Sequence, residues 1–166
     1  LEQIVQDIKK NPIEKKGDIY HPIPFPEFES LSTSSSRKAV DQKWELISSC
    51  ANAIFNGSLS EKKVLDIGAN AGFYTYSFSK SGSQVTSFEP HHRYKEIGLS
   101  VIKEKGLDIR WVNDKLSVDH PFLKESYNLT LMLSVFQWMA EGGNTIDYAS
   151  DCLRKISENS DYLIFE

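Results

Sequence analysis

The chain has 166 residues, 40% of them hydrophobic and 11% aromatic, with a net charge of -4. This length suits a single domain with a real core, which excludes disorder as the default. The mildly acidic balance offers no general attraction to phosphate backbones, so a nucleic-acid partner is disfavoured.

Leu1, Ile4, Val5 and Ile8 share one helical face, giving a short amphipathic helix over residues 1 to 10 that Asn11-Pro12 stops. The start, Leu1-Glu2-Gln3, is unlike a secretory signal, and no run approaches the roughly 18 apolar residues of a membrane span. A soluble, cytoplasmic protein is expected. From Tyr20 to Phe28, prolines at 22, 24 and 26 force an extended or polyproline-like path. Ser30 to Ser36 then supplies a flexible joint and N-cap candidates. Residues 1–36 thus form an N-terminal helix and a Pro/Ser-rich, lid-like segment. Residues 37–166 form the main unit.

A helix follows from about Arg37 to Asn56, because Val40, Trp44, Ile47, Ala51, Ile54 and Phe55 recur at helical steps and Gly57 ends it. Beyond Glu61, strands and helices alternate. Strands are expected at 63–67, 84–88, 107–112, 127–133 and 161–165, with helices at 73–81, 91–105 and 144–158. That alternation predicts an α/β fold with a parallel, doubly wound sheet covered on both faces. Cys50 and Cys152 fall in helical patterns without ligand spacing and read as small buried side chains; no metal site is expected.

Ligands of such sheets bind beyond the carboxyl ends of the strands, beside the first strand where the order reverses. Asp66-Ile-Gly-Ala-Asn-Ala-Gly72 occupies that point. Gly68 and Gly72 permit a sharp turn and close approach, and Asn70 tolerates a left-handed backbone. Glu89, 21 residues after Gly68, ends the second strand, where a carboxylate accepts ribose hydroxyls. The dinucleotide pattern GxGxxG would need glycines at 68, 70 and 73, but Asn70 and Phe73 stand there. Asp66 would also repel a pyrophosphate, whereas an amino-acid cofactor with an ammonium group removes that conflict.

Val64-Leu-Asp-Ile-Gly-Ala-Asn-Ala-Gly-Phe-Tyr-Thr-Tyr76 with Val85-Thr-Ser-Phe-Glu-Pro90 resembles motif I and the acidic post-motif of class I S-adenosylmethionine-dependent methyltransferases. Tyr127 to Trp138 is similar to the family's fourth strand and the active-site loop after it. Within the superfamily, the flavour is that of small-molecule and glycan methyltransferases of the O-antigen chain-termination or FkbM-like type. The resemblance implies a Rossmann-like fold and S-adenosylmethionine as cofactor. It implies that Asp66, Gly68 and Gly72 frame the methionine part and Glu89 binds the ribose, with Ala69, Asn70, Phe73 and Pro90 also at the cofactor. Asn113 and Asp114 fall at the adenine contact, and Ser134 and Phe136 in the loop beside the cofactor. Ser134-Val-Phe-Gln137 lacks the Asp/Asn-Pro-Pro-Tyr/Phe signature, which disfavours methylation of exocyclic base amines.

Aromatic walls suit a methyl sulfonium, and Phe136 is the first candidate; Tyr76, Phe78 and Trp138 are expected to pack between helix and sheet. A hydroxyl acceptor benefits from a base. Of the four histidines none lies in the fourth-strand loop, so His21 in the proline-stiffened segment is the candidate, with Arg37 to hold an anionic acceptor and Gln137 to orient it. The expected reaction is methyl transfer to an oxygen of a small molecule, sugar or glycan. The alternatives are an inactive cofactor-binding scaffold and, less favoured, a nicotinamide-dependent oxidoreductase. The sixth and seventh strands of the family are absent from the pattern. The fifth strand therefore invites a continuation of the chain or a homo-oligomeric partner at its edge.

Overall fold

A computed structural model describes residues 2–14, 19–114, 116–141 and 145–166, with Ser34 and Ser35 described by their backbone only. Leu1 and Asn144, assigned to helices from the sequence, lie outside the described residues. The framework is a five-stranded sheet of β1 (Lys63–Ile67), β2 (Gln84–Phe88), β3 (Ile109–Val112), β4 (Tyr127–Met132) and β5 (Ser160–Phe165). Its order is β3-β2-β1-β4-β5, and every pairing is parallel. The chain winds outward from β1 to β3 and then from β4 to β5 on the other side, so the order reverses beside β1, as expected. Central strands covered on both faces need continuous apolar runs. Val64, Leu65, Ile67, Leu129, Leu131 and Met132 meet that need and are buried.

Among the described residues, six α-helices complete the fold: α1 (Glu2–Lys10), α2 (Ser34–Ile54), α3 (Phe73–Lys80), α4 (His92–Lys105), α5 (Phe136–Met139) and α6 (Ile146–Glu158). On one face, α2, α3 and α4 bury Ile47, Ala51, Tyr76, Phe78, Ile97 and Val101 against the sheet. On the other, Met139 of α5 and Ala149, Cys152 and Ile156 of α6 pack on Leu65, Ile67 and Met132. No helix among the described residues is long and apolar enough to cross a membrane.

Three expectations need correction. Pro26–Leu31 is a 3-10 helix rather than extended chain, because Pro26 stands at its first turn, where a missing N–H and a fixed φ cost nothing. The serine run is no joint: Thr33 Oγ1 accepts the Ser36 N–H at 3.2 Å and starts α2 at Ser34. Cys50 is exposed, whereas Cys152 is buried. Cys50 lies one helical turn beyond exposed Leu46, on the outward stripe of α2, while Ile47 and Ala51 turn inward.

The segment before α2 is part of the main core, for Ile19, Ile23, Phe28 and Leu31 are all buried in it. Its fastening is polar as well as apolar. Lys80 Nζ donates to the Pro24 carbonyl at 2.5 Å and stands 4.1 Å from the Phe25 ring centroid, with Lys105 Nζ at 4.8 Å. Lys105 also pairs with Glu27 at 2.6 Å. Two ammonium groups on one ring, each with its own acceptor, hold the segment to the ends of α3 and α4. Replacing Phe25 with alanine also strips a ring from Tyr76, 5.6 Å away. Phe25→Ala is therefore expected to lower unfolding stability by about 2 to 3 kcal/mol in urea titrations. A loss typical of an ordinary surface ring would show that the clamp contributes nothing.

Candidate functional site

The loop after β1 is held by the end of β2. The N–H groups of Gly68 and Ala69 both donate to the Phe88 carbonyl, at 2.8 and 3.2 Å, and Gly72 N–H closes the turn on Ala69 at 2.8 Å. Left-handed backbone occurs at Gly68 (φ 79°), Asn70 (φ 53°) and Gly72 (φ 91°). The absent glycine side chains are needed by the protein's own packing. A Cβ on Gly68 would meet Val135 Cγ2 at 2.4 Å, and one on Gly72 would meet the Tyr76 ring at 2.6 Å. The loop after β4 thus presses onto the loop after β1.

Glu89 joins the two halves of this arrangement. One carboxylate oxygen accepts the Asn70 N–H at 2.9 Å and the other the His91 N–H at 2.8 Å. Burial pushes its pKa up, and those two N–H donors pull it partly back. Asn113 Nδ2 donates to the Glu89 carbonyl at 2.8 Å, so its side chain secures the end of β2. Asp114 is exposed and lies 3.4 Å from Nε2 of buried His120, whose ring meets Phe88 edge-on.

Asp66 is 2% exposed and turned under α3, where its Oδ2 accepts the Thr75 hydroxyl at 2.6 Å. Thr75 Oγ1 in turn lies 2.8 Å from Ser87 Oγ on β2. Burial raises the Asp66 pKa to about 6, against the lowering effect of the Thr75 hydrogen bonds and with a further upward push from Glu89.

Between these loops opens a cavity of 370 Å³ whose walls include Gly68, Phe88, Pro90, Leu116, Val135 and Trp138. Its size lies in the range of small-molecule sites, roughly 300 to 1,000 Å³. Trp138 is 67% exposed and forms one wall, contrary to the expectation that it packs between helix and sheet; Tyr76 and Phe78 do pack there. Phe73 is buried in the core below α3, edge-on to Tyr74. Phe136 stands edge-on to Phe165, 5.9 Å away, and Val135 takes the place beside the loop. Ser134 has φ 54°, a strained value for a residue with a Cβ. Its N–H donates to the Glu166 carbonyl at 2.9 Å, and exposed Gln137 donates through Nε2 to the Ser134 carbonyl at 2.7 Å.

His21 is brought to the carboxyl ends of the strands. Its ring lies 4.7 Å from Tyr20 and 5.7 Å from Tyr74 of α3, and its buried Nδ1 has no hydrogen-bond partner. Burial, followed by the charge of Lys43, lowers its pKa to about 4, with Glu166 opposing. Lys43 and Glu166 pair at 2.6 Å, joining α2 to the residue after β5. Tyr94 of α4 fixes the segment by accepting the Tyr20 N–H at 3.2 Å and donating to Glu14 at 2.9 Å. Arg37 is not brought to this group: it holds the Glu29 carbonyl at 2.6 Å and faces a separate surface cleft with Asp41 and Glu45. Sequence reasoning missed Thr75, Ser87, Val135 and Lys43. A polar Thr75 and Ser87 inside apolar elements are the available signal for two of them; nothing local marks the others.

No family model and no curated protein matches the chain; the likeness is to solved structures. The bifunctional kinase-methyltransferase WbdD matches over 98% of this chain with TM-score 0.74 and 17% identity. This chain spans 35% of WbdD's length. The magnesium protoporphyrin IX methyltransferase ChlM of Synechocystis PCC 6803, crystallised with S-adenosylmethionine, matches over 81% of this chain and 63% of its own, with TM-score 0.58 and 15% identity. TehB from Haemophilus influenzae matches over 68% of this chain and 36% of its own, at TM-score 0.53 and 19% identity. The chain therefore has the Rossmann-like α/β fold of class I S-adenosylmethionine-dependent methyltransferases, with five strands among the described residues.

A carboxyl whose folded pKa is raised favours the native state while protonated, and that contribution is lost as pH rises from the ordinary 3.8 through about 6. Asp66→Asn removes the buried charge but keeps an acceptor for Thr75. The variant's stability relative to wild type should therefore improve between pH 4 and 7, by an amount on the order of 3 kcal/mol in urea unfolding. A pH-independent difference would contradict the burial of an ionisable Asp66.

Proposed function

We propose that this chain is the cofactor-binding and catalytic part of an S-adenosylmethionine-dependent methyltransferase acting on an oxygen of a small molecule, sugar or glycan. The observation that carries the proposal is the Glu89 carboxylate at the end of β2, bonded to the Asn70 N–H and flanked in the chain by Phe88 and Pro90, which line the 370 Å³ cavity. The donor set fits the cofactor. Glu89 uses one acceptor site on each oxygen for backbone and keeps others for two ribose hydroxyls. Phe88, Pro90, Leu116 and Val135 offer apolar surface for an adenine ring. Asp66 and Glu89 place negative charge at the loop, which suits a cationic amino acid and opposes a dinucleotide pyrophosphate.

The bound cofactor supplies an activated methyl group on a sulfonium. What the protein must add is orientation of an acceptor oxygen and shielding from water. His21 is suited to orienting that oxygen, because with its pKa held near 4 the imidazole is neutral at pH 7 and one ring nitrogen accepts a hydrogen bond. It aligns an acceptor hydroxyl without adding charge. The proton on a freshly methylated oxygen is acidic enough for even this weak base to take it. Gln137, which donates to the Ser134 carbonyl, holds the loop after β4.

Two measurements test the proposal. Calorimetry should show binding of S-adenosylhomocysteine and none of NAD, with Glu89→Gln weakening the former about ten- to hundredfold. Binding of NAD instead would refute the assignment. In a methyl-transfer screen over sugars, phosphates and small hydroxyl compounds, His21→Ala should lower turnover by about 10² or more while leaving S-adenosylhomocysteine affinity in place. Near-normal turnover would remove His21 from the mechanism.

A further inference from the structure

Asp66, Thr75 and Ser87 form a closed chain of three buried polar side chains. Thr75 and Ser87 are 0% exposed and Asp66 2%. The links are 2.6 Å from Thr75 Oγ1 to Asp66 Oδ2 and 2.8 Å from Thr75 Oγ1 to Ser87 Oγ. Strand pairing places Ser87 of β2 beside Asp66 on one side and apolar Leu131 of β4 on the other. The titratable groups facing Asp66 are Glu89 at the end of β2 and Tyr74 on α3, neither of which carries positive charge. Among the described residues, no cation offsets Asp66.

We propose that Thr75 and Ser87 are positioning residues that hold Asp66 as a carboxylate for a cationic group at the loop, and that this hydroxyl chain reverses when Asp66 is protonated, switching cofactor affinity with pH. The proposal rests on the S-adenosylmethionine assignment above.

Counting protons gives the two states. A carboxylate only accepts, so Thr75 must donate to Asp66, and its oxygen then accepts the Ser87 hydroxyl. All dipoles point toward the charge, and each bond polarises the next. A proton taken from solvent makes Asp66 a donor. Thr75 then accepts from Asp66 and turns its own hydrogen to Ser87, so the positive ends of the dipoles point away from Asp66. The second state also satisfies the Asp66 and Thr75 links, which lets the site exchange between them without breaking the chain. Burial brings the exchange to about pH 6, close to neutrality. A ligand ammonium favours only the first state and expels the proton to solvent.

The experiment is a carboxyl-carbon NMR titration of Asp66 in the unliganded protein, combined with S-adenosylhomocysteine calorimetry from pH 5 to 8. Thr75→Val should raise the Asp66 midpoint by about one to two pH units, the size of one hydrogen bond to a charged group. Ser87→Ala should raise it less, and Thr75→Ser should restore it. Wild-type affinity should fall on acidification with the same midpoint as the NMR signal, and Thr75→Val should move both together. A folded Thr75→Val variant with an unmoved Asp66 midpoint overturns the proposal; should that variant fail to fold, an unmoved midpoint in Ser87→Ala does so. Affinity that stays flat while Asp66 titrates also overturns it. Failure of S-adenosylhomocysteine to bind at any pH, with the NMR shifts intact, overturns the cofactor assignment and the switch with it.

Discussion

The hydrogen bond from the Asn70 N–H to the Glu89 carboxylate, 2.9 Å long, is the join on which the upper face of the sheet depends. A tight turn after β1 turns backbone N–H groups away from any ladder, and buried ones need acceptors. Phe88 and Glu89, consecutive residues at the end of β2, supply them. Parallel pairing of β1 with β2, in register from Lys63 with Gln84 to Ile67 with Phe88, brings those acceptors to the loop. The left-handed backbone at Gly68, Asn70 and Gly72 is the cost of directing three successive loop positions toward one strand end.

The same join concentrates negative charge. Burial raises the pKa of both Asp66 and Glu89, and the Glu89 charge pushes that of Asp66 up further. Native interiors rarely leave such a pair uncompensated outside functional sites. Hydroxyls and N–H groups of the protein compensate in part, through Thr75, Asn70 and His91. Gly68, Phe88 and Pro90, close to these carboxylates in the chain, line the cavity.

The segment carrying His21 is bound to the same assembly from outside. Tyr94, at the start of the helix following Glu89, takes the Tyr20 N–H, while Lys80 and Lys105 grip Phe25 at the far ends of α3 and α4. Fixed at both points, the chain between them has little freedom, and His21 is pressed against Tyr74 in a setting too dry for an imidazolium. The lowered pKa of His21 is thus a consequence of how the segment is tied down.

Much of this was legible in the sequence because it is local or periodic. Alternating strands and helices, the glycines at 68 and 72, the tolerance of Asn70 for a left-handed turn, and the spacing from Gly68 to Glu89 all follow from backbone sterics and side-chain periodicity, which act within a few residues. What only the tertiary structure decided are contacts between segments distant in sequence. Val135 fills the space over Gly68, Thr75 and Ser87 take charge of Asp66, Trp138 faces the cavity while Phe136 turns to Phe165, and Arg37 is claimed by Glu29. The physical reason is that a residue's type limits which partners it accepts, but only the packing of helices against the sheet determines which partner arrives.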